Sequence, residues 1–267
     1  MLALALAAAA AAPAEPVRLA TYAYPRYDRT KALEPLRALL AARMKRPVTV
    51  QLYPTPDALR DAVKGGAVDV AMTNLASYLG MADAPSLTAI AVVDVPAGTL
   101  ARYRGVLLAR AISGVTAASL RQRIGTLRYA EVLPGSTSGA LVQSGYLRSL
   151  GLAPEQFGTR LQAGTHDGAL AALADGRADV AALADEPWRN APSDVRSKIV
   201  EIWRSEPLPP GPLICISRVS FDCAAVQRIV LSAAAAPAAA ELARGWSETE
   251  GARRFRKVEP VDYRGFR

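Results

Sequence analysis

Histidine is almost absent from this chain: among 267 residues, His166 is the only one. That excludes multi-histidine metal centres and relays built on paired imidazoles. Cysteine is nearly as scarce. Cys215 and Cys223 stand alone, and with one distant histidine they fall short of a zinc ligand set. Two cysteines in an exported chain permit one disulfide. These two lie around the turn between a strand and a helix, where their Cα atoms can approach to bridging distance; a pair of buried thiols is the other ordinary use. Lysine is rare too. Only Lys31, Lys45, Lys64, Lys198 and Lys257 interrupt an arginine-dominated set of 32 basic residues. No run of basic residues interleaved with aromatics occurs, so nucleic acid is not indicated. Beyond the N-terminus, no stretch is long and apolar enough to be a transmembrane helix.

What the chain does have is apolar residues, at 51%, and length enough for one large domain or two ordinary lobes. The formal net charge of +8 is spread along the sequence rather than gathered in a block, which suits recruitment of an anionic ligand. Met1 to Ala12 is an unbroken Leu/Ala run, too short to span a bilayer, and Ala12-Pro13-Ala14 fits the small-x-small rule for signal cleavage. The expectation is a signal peptide over residues 1–14 and a periplasmic chain beginning at Glu15. The usual basic flank is missing, so a retained N-terminal anchor is the alternative.

The most informative stretch is Pro134-Gly135-Ser136-Thr137-Ser138-Gly139-Ala140. An apolar strand pattern, Ile124 to Ala130, precedes it. A helical pattern with Leu141, Tyr146, Leu147 and Leu150 near one face follows, and Gly151 stops it. The first amides of a helix lack internal partners and sit at the positive end of its dipole. Three consecutive hydroxyls beside them suit a tetrahedral oxyanion; helix capping by Ser136 or Thr137 is the simpler use. The spacing is wrong for a Walker loop, and Thr137 takes the place a nucleophile elbow gives to serine.

Read in order, strand and helix alternate at short spacing. Val17 to Tyr22, Pro47 to Tyr53, Val68 to Met72 and Leu87 to Val95 read as strands. Thr30 to Arg46, a segment capped by Thr55 with Pro56 at its first position, and Asn74 to Ala84 read as helices. Helix is also read from Asp222 to Gly245 and from Ser247 to Phe255. The pattern is α/β. A weak repeat, Gly66-Ala67-Val68-Asp69-Val70-Ala71 against Gly176-Arg177-Ala178-Asp179-Val180-Ala181, splits the chain into two similar lobes. Tyr103 to Ala109 leaves the first lobe, and Ile199 to Trp203 with the stiff Glu206-to-Pro212 connector returns to it. The lobes are therefore 15–102 plus 207–267, and 103–206, with a cleft between them.

These residues resemble the periplasmic phosphate/phosphonate-binding (PhnD-type) proteins of ABC importers over nearly the whole mature chain. The resemblance rests on the two repeat copies, Gly135-Ser136-Thr137-Ser138-Gly139, Ala163-Gly164-Thr165-His166-Asp167 and Ile202-Trp203-Arg204-Ser205-Glu206-Pro207. It implies a two-lobed type II periplasmic binding fold, each lobe a mostly parallel sheet flanked by helices, hinged on two crossing strands. It also implies a non-enzymatic protein that closes on phosphate, phosphite or an organophosphonate, with no cofactor or metal, as a monomer serving an importer permease. Ser136, Thr137, Ser138 and His166 would face the ligand, with His166 a donor whose charge the anion favours.

The family's aromatic hydroxyls on the first-lobe side are not matched. Thr73 and Asn74, or Tyr22, Tyr24 and Tyr78, are the candidates for that side. Asp185-Glu186, at a strand end facing the cleft, suits the ammonium of an aminoalkylphosphonate; Asp185 is equally placed to cap the next helix. Two other functional classes remain open. One is a sensor of the same fold feeding a membrane partner such as a histidine kinase. The other is a hydrolase built on Ser138, His166 and an aspartate.

If residues 1–14 are a cleaved signal, the protein exported by a Gram-negative host has the intact mass of a chain starting at Glu15. A soluble cytoplasmic product retaining Met1 to Ala14 would refute this.

Overall fold

In the computed structural model, residues 15–219 and 221–266 are described; the expected signal segment 1–14 lies outside them. The strands are β1 Val17–Tyr22, β2 Val48–Tyr53, β3 Val70–Met72, β4 Leu87–Val93, β5 Gly105–Arg110, β6 Arg128–Glu131, β7 Thr159–Gln162, β8 Val180–Ala184, β9 Ile199–Arg204, β10 Leu213–Ile216 and β11 Phe255–Arg256. They form two sheets. The first has the order β11-β4-β10-β3-β1-β2, the second β7-β6-β8-β5-β9.

Each sheet is mixed. β1 pairs in parallel with β2 and β3, and β6 with β7 and β8. The antiparallel strands are mostly those that carry the chain between lobes or back: β10 against β3 and β4, and β5 against β8 and β9. A strand entering from the other lobe arrives without a crossover helix, so nothing obliges it to run parallel. Side chains alternate between the two faces of each sheet. In β5, Val106 and Leu108 join one apolar cluster while Leu107 and Ala109 join the cluster opposite.

The internal repeat is realised in detail. Asp69 is fully buried; its carboxylate accepts from the Arg18 backbone N–H at 2.9 Å and from Arg18 Nη2 at 2.8 Å. Asp179 does the same with Arg128, at 3.0 Å and 2.7 Å, over the same separation of 51 residues. Each Asp backbone N–H returns a bond to its Arg carbonyl. Each pair thus pins the entry of a parallel strand pair. In both copies a threonine caps the preceding helix, Thr55 for Pro56–Lys64 and Thr165 for His166–Ala174. In both, a glycine with positive φ follows that helix, Gly66 at 71° and Gly176 at 73°.

The helix Arg29–Met44, capped by Asp28, runs through Pro35 and buries Ala32, Leu33, Leu36 and Leu40. Other boundaries differ from the sequence reading. The helix after Asn74 is short, Leu75–Leu79. The strand read over Ile124 to Ala130 begins only at Arg128, after a 3-10 turn at Ile124–Thr126. The C-terminal helix read as one is two, Cys223–Val230 and Ala236–Gly245, broken where Pro237 lacks an N–H to donate. The stretch read as helix from Ser247 is a 3-10 turn, Ser247–Thr249, followed by β11, whose residues pair with Val92 and Val93 of β4. No single helix among the described residues is long and apolar enough to cross a membrane.

The two chain crossings run side by side. Ser205 N–H donates to the Gly105 carbonyl at 2.9 Å, and Leu208 N–H to the Tyr103 carbonyl at 2.9 Å. Gly211 in the return connector lies so close to the end of β3 that a Cβ there would stand 2.4 Å from the Thr73 carbonyl oxygen.

Cys215 in β10 and Cys223 at the next helix start are joined in a disulfide, with Cα atoms 5.7 Å apart. Closing so short a loop restricts the unfolded chain by about 2–3 kcal/mol. Cys215→Ser/Cys223→Ser should therefore fold but unfold at lower denaturant by an amount of that order. An unchanged midpoint in urea would show that the bridge contributes nothing.

Candidate functional site

Between the two sheets lies a cavity of about 870 Å³. From the first lobe it is lined by Tyr22 at the end of β1, the loop residues Tyr24, Arg26 and Tyr27, Arg29 at the first helix start, and Asn74. From the second come Ser136, Thr137, His166 and Glu186, and from the crossing segment Tyr103. The strand ends of both sheets thus open onto one space, where open α/β folds take ligands. Trp246 and Glu248, just after the last α-helix, complete the first-lobe wall.

The hydroxyl-rich turn opens a helix as expected, through a single wide turn, Thr137–Leu141, that leads into Val142–Ser149. Ser136 is 6% exposed, and its hydroxyl makes no hydrogen bond among the described residues. Thr137 Oγ1 accepts from the Ala76 N–H at 3.0 Å, across to the first lobe. Its own hydrogen remains to be donated. Asn74 caps the helix Leu75–Leu79 through Oδ1, and its Nδ2 donates to the Gly135 carbonyl at 2.8 Å. Gly135 has φ 80°, and a Cβ on it would stand 2.6 Å from Asp57 Oδ1 and 2.9 Å from Asp57 N. Only glycine allows the turn to seat on the helix start of the other lobe.

Four of the candidate residues stand elsewhere. Ser138 is buried and does not line the cavity; its Oγ is 2.6 Å from the Tyr103 hydroxyl, so the cavity-facing hydroxyl at this point is that of Tyr103. Thr73 is also off the wall, its Oγ1 donating to the Pro212 carbonyl at 2.6 Å and tying β3 to the return connector. Tyr78 packs on Tyr263 in the core, with centroids 4.9 Å apart, and is no part of the cavity. Glu186 does line it, accepting from Asn190 Nδ2 at 2.8 Å. Asp185 does not: it is buried and paired with Arg204 and Arg189, at 2.6 and 2.9 Å.

His166 is the first residue of its helix, and its Nδ1 accepts from the Ala184 N–H at 2.9 Å. The ring proton is therefore on Nε2, a donor with no partner among the described residues. Burial, with the charges of Arg26 and Arg29 beside it, pushes its pKa from 6.5 to about 4. The imidazole is then neutral near pH 7, and its Nε2–H is a donor that carries no charge.

The sequence reading missed Arg29, Tyr103, Trp246 and Glu248. Arg29 is 4% exposed. Its Nε donates to the Gly245 carbonyl at 3.1 Å and its Nη1 to the Tyr22 carbonyl at 3.3 Å. Trp246 Nε1 donates to the Tyr22 hydroxyl at 3.2 Å. The Glu248 carboxyl is buried, and desolvation raises its pKa against the opposing pull of Arg29. One signal was available: an arginine opening a helix opposes the dipole, which marks a position chosen for another purpose.

The fold and cavity define a two-lobed, type II periplasmic binding protein. The chain matches the family model of periplasmic substrate-binding proteins of phosphonate ABC transporters over residues 22–263, and it belongs to that family. Among solved structures, it is similar to PhnD1 from Prochlorococcus marinus in complex with methylphosphonate (16% identity, 93% of this chain and 94% of that one, TM-score 0.67). It is also similar to a phosphonate-transporter binding component from Pseudomonas aeruginosa (18%, 93% and 83%, TM-score 0.65). A Xanthomonas citri protein bound to ATP has 18% identity over 94% of both chains, with a TM-score of 0.73. A search of curated protein sequences returned no match.

The depressed His166 pKa has a consequence for stability. Between about pH 6.5 and pH 4 the unfolded chain binds a proton that the folded chain refuses, so this residue withdraws stability as pH falls through that window. His166→Asn, which keeps an acceptor for the Ala184 N–H, should flatten the fall of the thermal midpoint across that window. Parallel pH profiles for the two proteins would show that His166 is protonated in the fold.

Proposed function

We propose that this protein captures a phosphorus oxyanion, most naturally an organophosphonate, in the interlobe cavity and presents it to the permease of an ABC importer. In this reading residues 15–102 with 207–267 form one lobe and 103–206 the other, and the protein acts as a monomer in the periplasm. The observation that carries it is the set of unspent donors on one wall. The nearly buried Ser136 hydroxyl and the His166 Nε2–H have no partner among the described residues, and the Thr137 hydrogen is uncommitted. Donors left open on a cavity wall are free to meet a ligand, and an anion with three oxygens offers an acceptor to each. The methylphosphonate held by the Prochlorococcus relative is a ligand of that kind.

Closing is part of the mechanism. Thr137 Oγ1 accepts from Ala76 N and the Gly135 carbonyl accepts from Asn74 Nδ2, so the turn that would hold the anion also joins the lobes. Binding and closure are then one event, and release needs the same bonds to open. Arg26 and Asp167 add an ion pair across the mouth at 3.0 Å; both are more than half exposed, so it contributes little. No observation favours the sensor reading over the importer reading.

Hydrogen bonds to a charged group contribute about 1.5–3 kcal/mol each, so Thr137→Ala should weaken binding of methylphosphonate or ethylphosphonate roughly ten- to a hundredfold. Ser136→Glu, which puts a negative charge on the cavity wall, should abolish it. Calorimetric titration with circular dichroism as the folding control makes the comparison. Wild-type affinity in a folded Ser136→Glu protein would place the anion elsewhere.

A further inference from the structure

Arg29 opens the helix Arg29–Met44 and is 4% exposed. A buried cation normally requires a carboxylate. Among the described residues, none lies within ion-pair distance of this one. Its guanidinium instead sits in an aromatic corner, 4.0 Å from the Trp246 ring centroid, 4.2 Å from Tyr22 and 5.1 Å from Tyr24. Aromatic faces attract a cation and fix its place, and they leave its charge un-neutralised. Of the other cavity arginines, Arg26 is paired with Asp167 at 3.0 Å, Arg189 with Asp185 at 2.9 Å and Arg244 with Glu241 at 3.8 Å, while Arg102 and Arg253 have no ion pair among the described residues but are exposed to solvent, which screens their charge. Arg29 therefore holds a fixed positive charge, shielded from water, on the same wall system as the unspent donors.

We infer that Arg29 is the charge selector of the site: it makes the cavity prefer the dianion of a phosphonate to the monoanion of a sulfonate of the same shape. The inference rests on the reading that the cavity holds a tetrahedral oxyanion. Phosphonate and sulfonate groups both present three oxygens on a tetrahedral centre, so Ser136, Thr137 and His166 Nε2 meet the same acceptors in either. What differs is one unit of charge, and only a charge distinguishes that.

None of the groups facing Arg29 forms an ion pair with it among the described residues. Tyr22 and Tyr24 are held above the ordinary tyrosine value by burial, Tyr24 to about 12, and His166 is pushed down to about 4. Glu248 is raised, also by burial. Asp28, its neighbour, is occupied in capping the helix, and on the helix packed alongside Glu241 faces Arg244 at 3.8 Å and accepts from the Tyr27 hydroxyl.

The test is titration of wild type, Arg29→Lys and Arg29→Met with methylphosphonate and with methanesulfonate, at pH 8 and at pH 6. At pH 8 the wild type should bind methylphosphonate roughly a hundredfold more tightly, the effect of one further charge about 6 Å from a guanidinium at an effective dielectric of about 20. The ratio should narrow at pH 6, where the phosphonate takes up a proton and the sulfonate does not. Arg29→Met should lose most of the preference and Arg29→Lys should keep more of it. A wild-type ratio near one, or one unchanged between the two pH values, overturns the inference even if neither variant folds. Equal losses for both ligands in a folded Arg29→Met protein overturn it as well, and make Arg29 a packing residue. If wild type binds no phosphonate at either pH, the oxyanion reading itself fails, a result distinct from loss of selectivity.

Discussion

Both halves of the molecule depend on one interaction used twice, an aspartate, fully buried at Asp69 and partly buried at Asp179, that holds the arginine at the start of a neighbouring strand. Asp69 accepts from the Arg18 backbone and side chain and pairs with Arg218 as well, so every lone pair that burial would strand is used. Asp179 accepts in the same manner from Arg128. Because parallel strands slip by a whole face if displaced by one residue, an anchor at the strand entry sets which side chains reach the far end. The far ends are where Tyr22, Asn74, Val132 and Ala184 open onto the cavity. A contact on one side of each sheet thus decides the geometry of the site on the other.

That anchor explains why so much was legible from sequence. The Gly-x-x-Asp-Val-Ala pattern is local, and each of its residues answers a local demand: a left-handed backbone at glycine, an acceptor for the neighbouring arginine at aspartate, a strand after it. Capping by Thr55 and Thr165 is local too. The hydroxyl turn was legible for the same reason, since Ser136 and Thr137 are adjacent and their helix follows at once. The short helix after Asn74 was harder, because its end is set by what packs there rather than by propensity.

Residues whose role depends on distant partners were not legible. Nothing near Ser138 in sequence says that its hydroxyl will meet Tyr103, thirty-five residues earlier, rather than the cavity. Thr73 is spent on a carbonyl 139 residues away. Trp246 reaches the site only because the last α-helix lies against the first, setting its ring beside Tyr22 across 224 residues. Phe255 was read as the end of a helix and β11 was missed for the same reason: two residues form a strand only where an edge of β4 is already waiting.

The repeat also bears on why the two walls of the cavity differ. Arg18 and Arg128, Thr55 and Thr165, and Asp69 and Asp179 are separated by the same interval along the chain. At that interval, Arg29 in the first lobe corresponds to Gly139 in the second, so the start of the first helix is the counterpart of the hydroxyl-rich turn. Two equivalent helix starts therefore open onto one cavity. In the second lobe the start is furnished with small hydroxyl residues and glycine, which let amides and hydroxyls approach closely. In the first it is furnished with an arginine that the dipole disfavours, held in place by aromatic rings rather than by an acid. Donors without net charge stand on one side, and a charge without an acid partner on the other. A symmetric pair of donor turns would match the shape of a tetrahedral anion twice and its charge not at all; on the reading proposed above, the asymmetry supplies both.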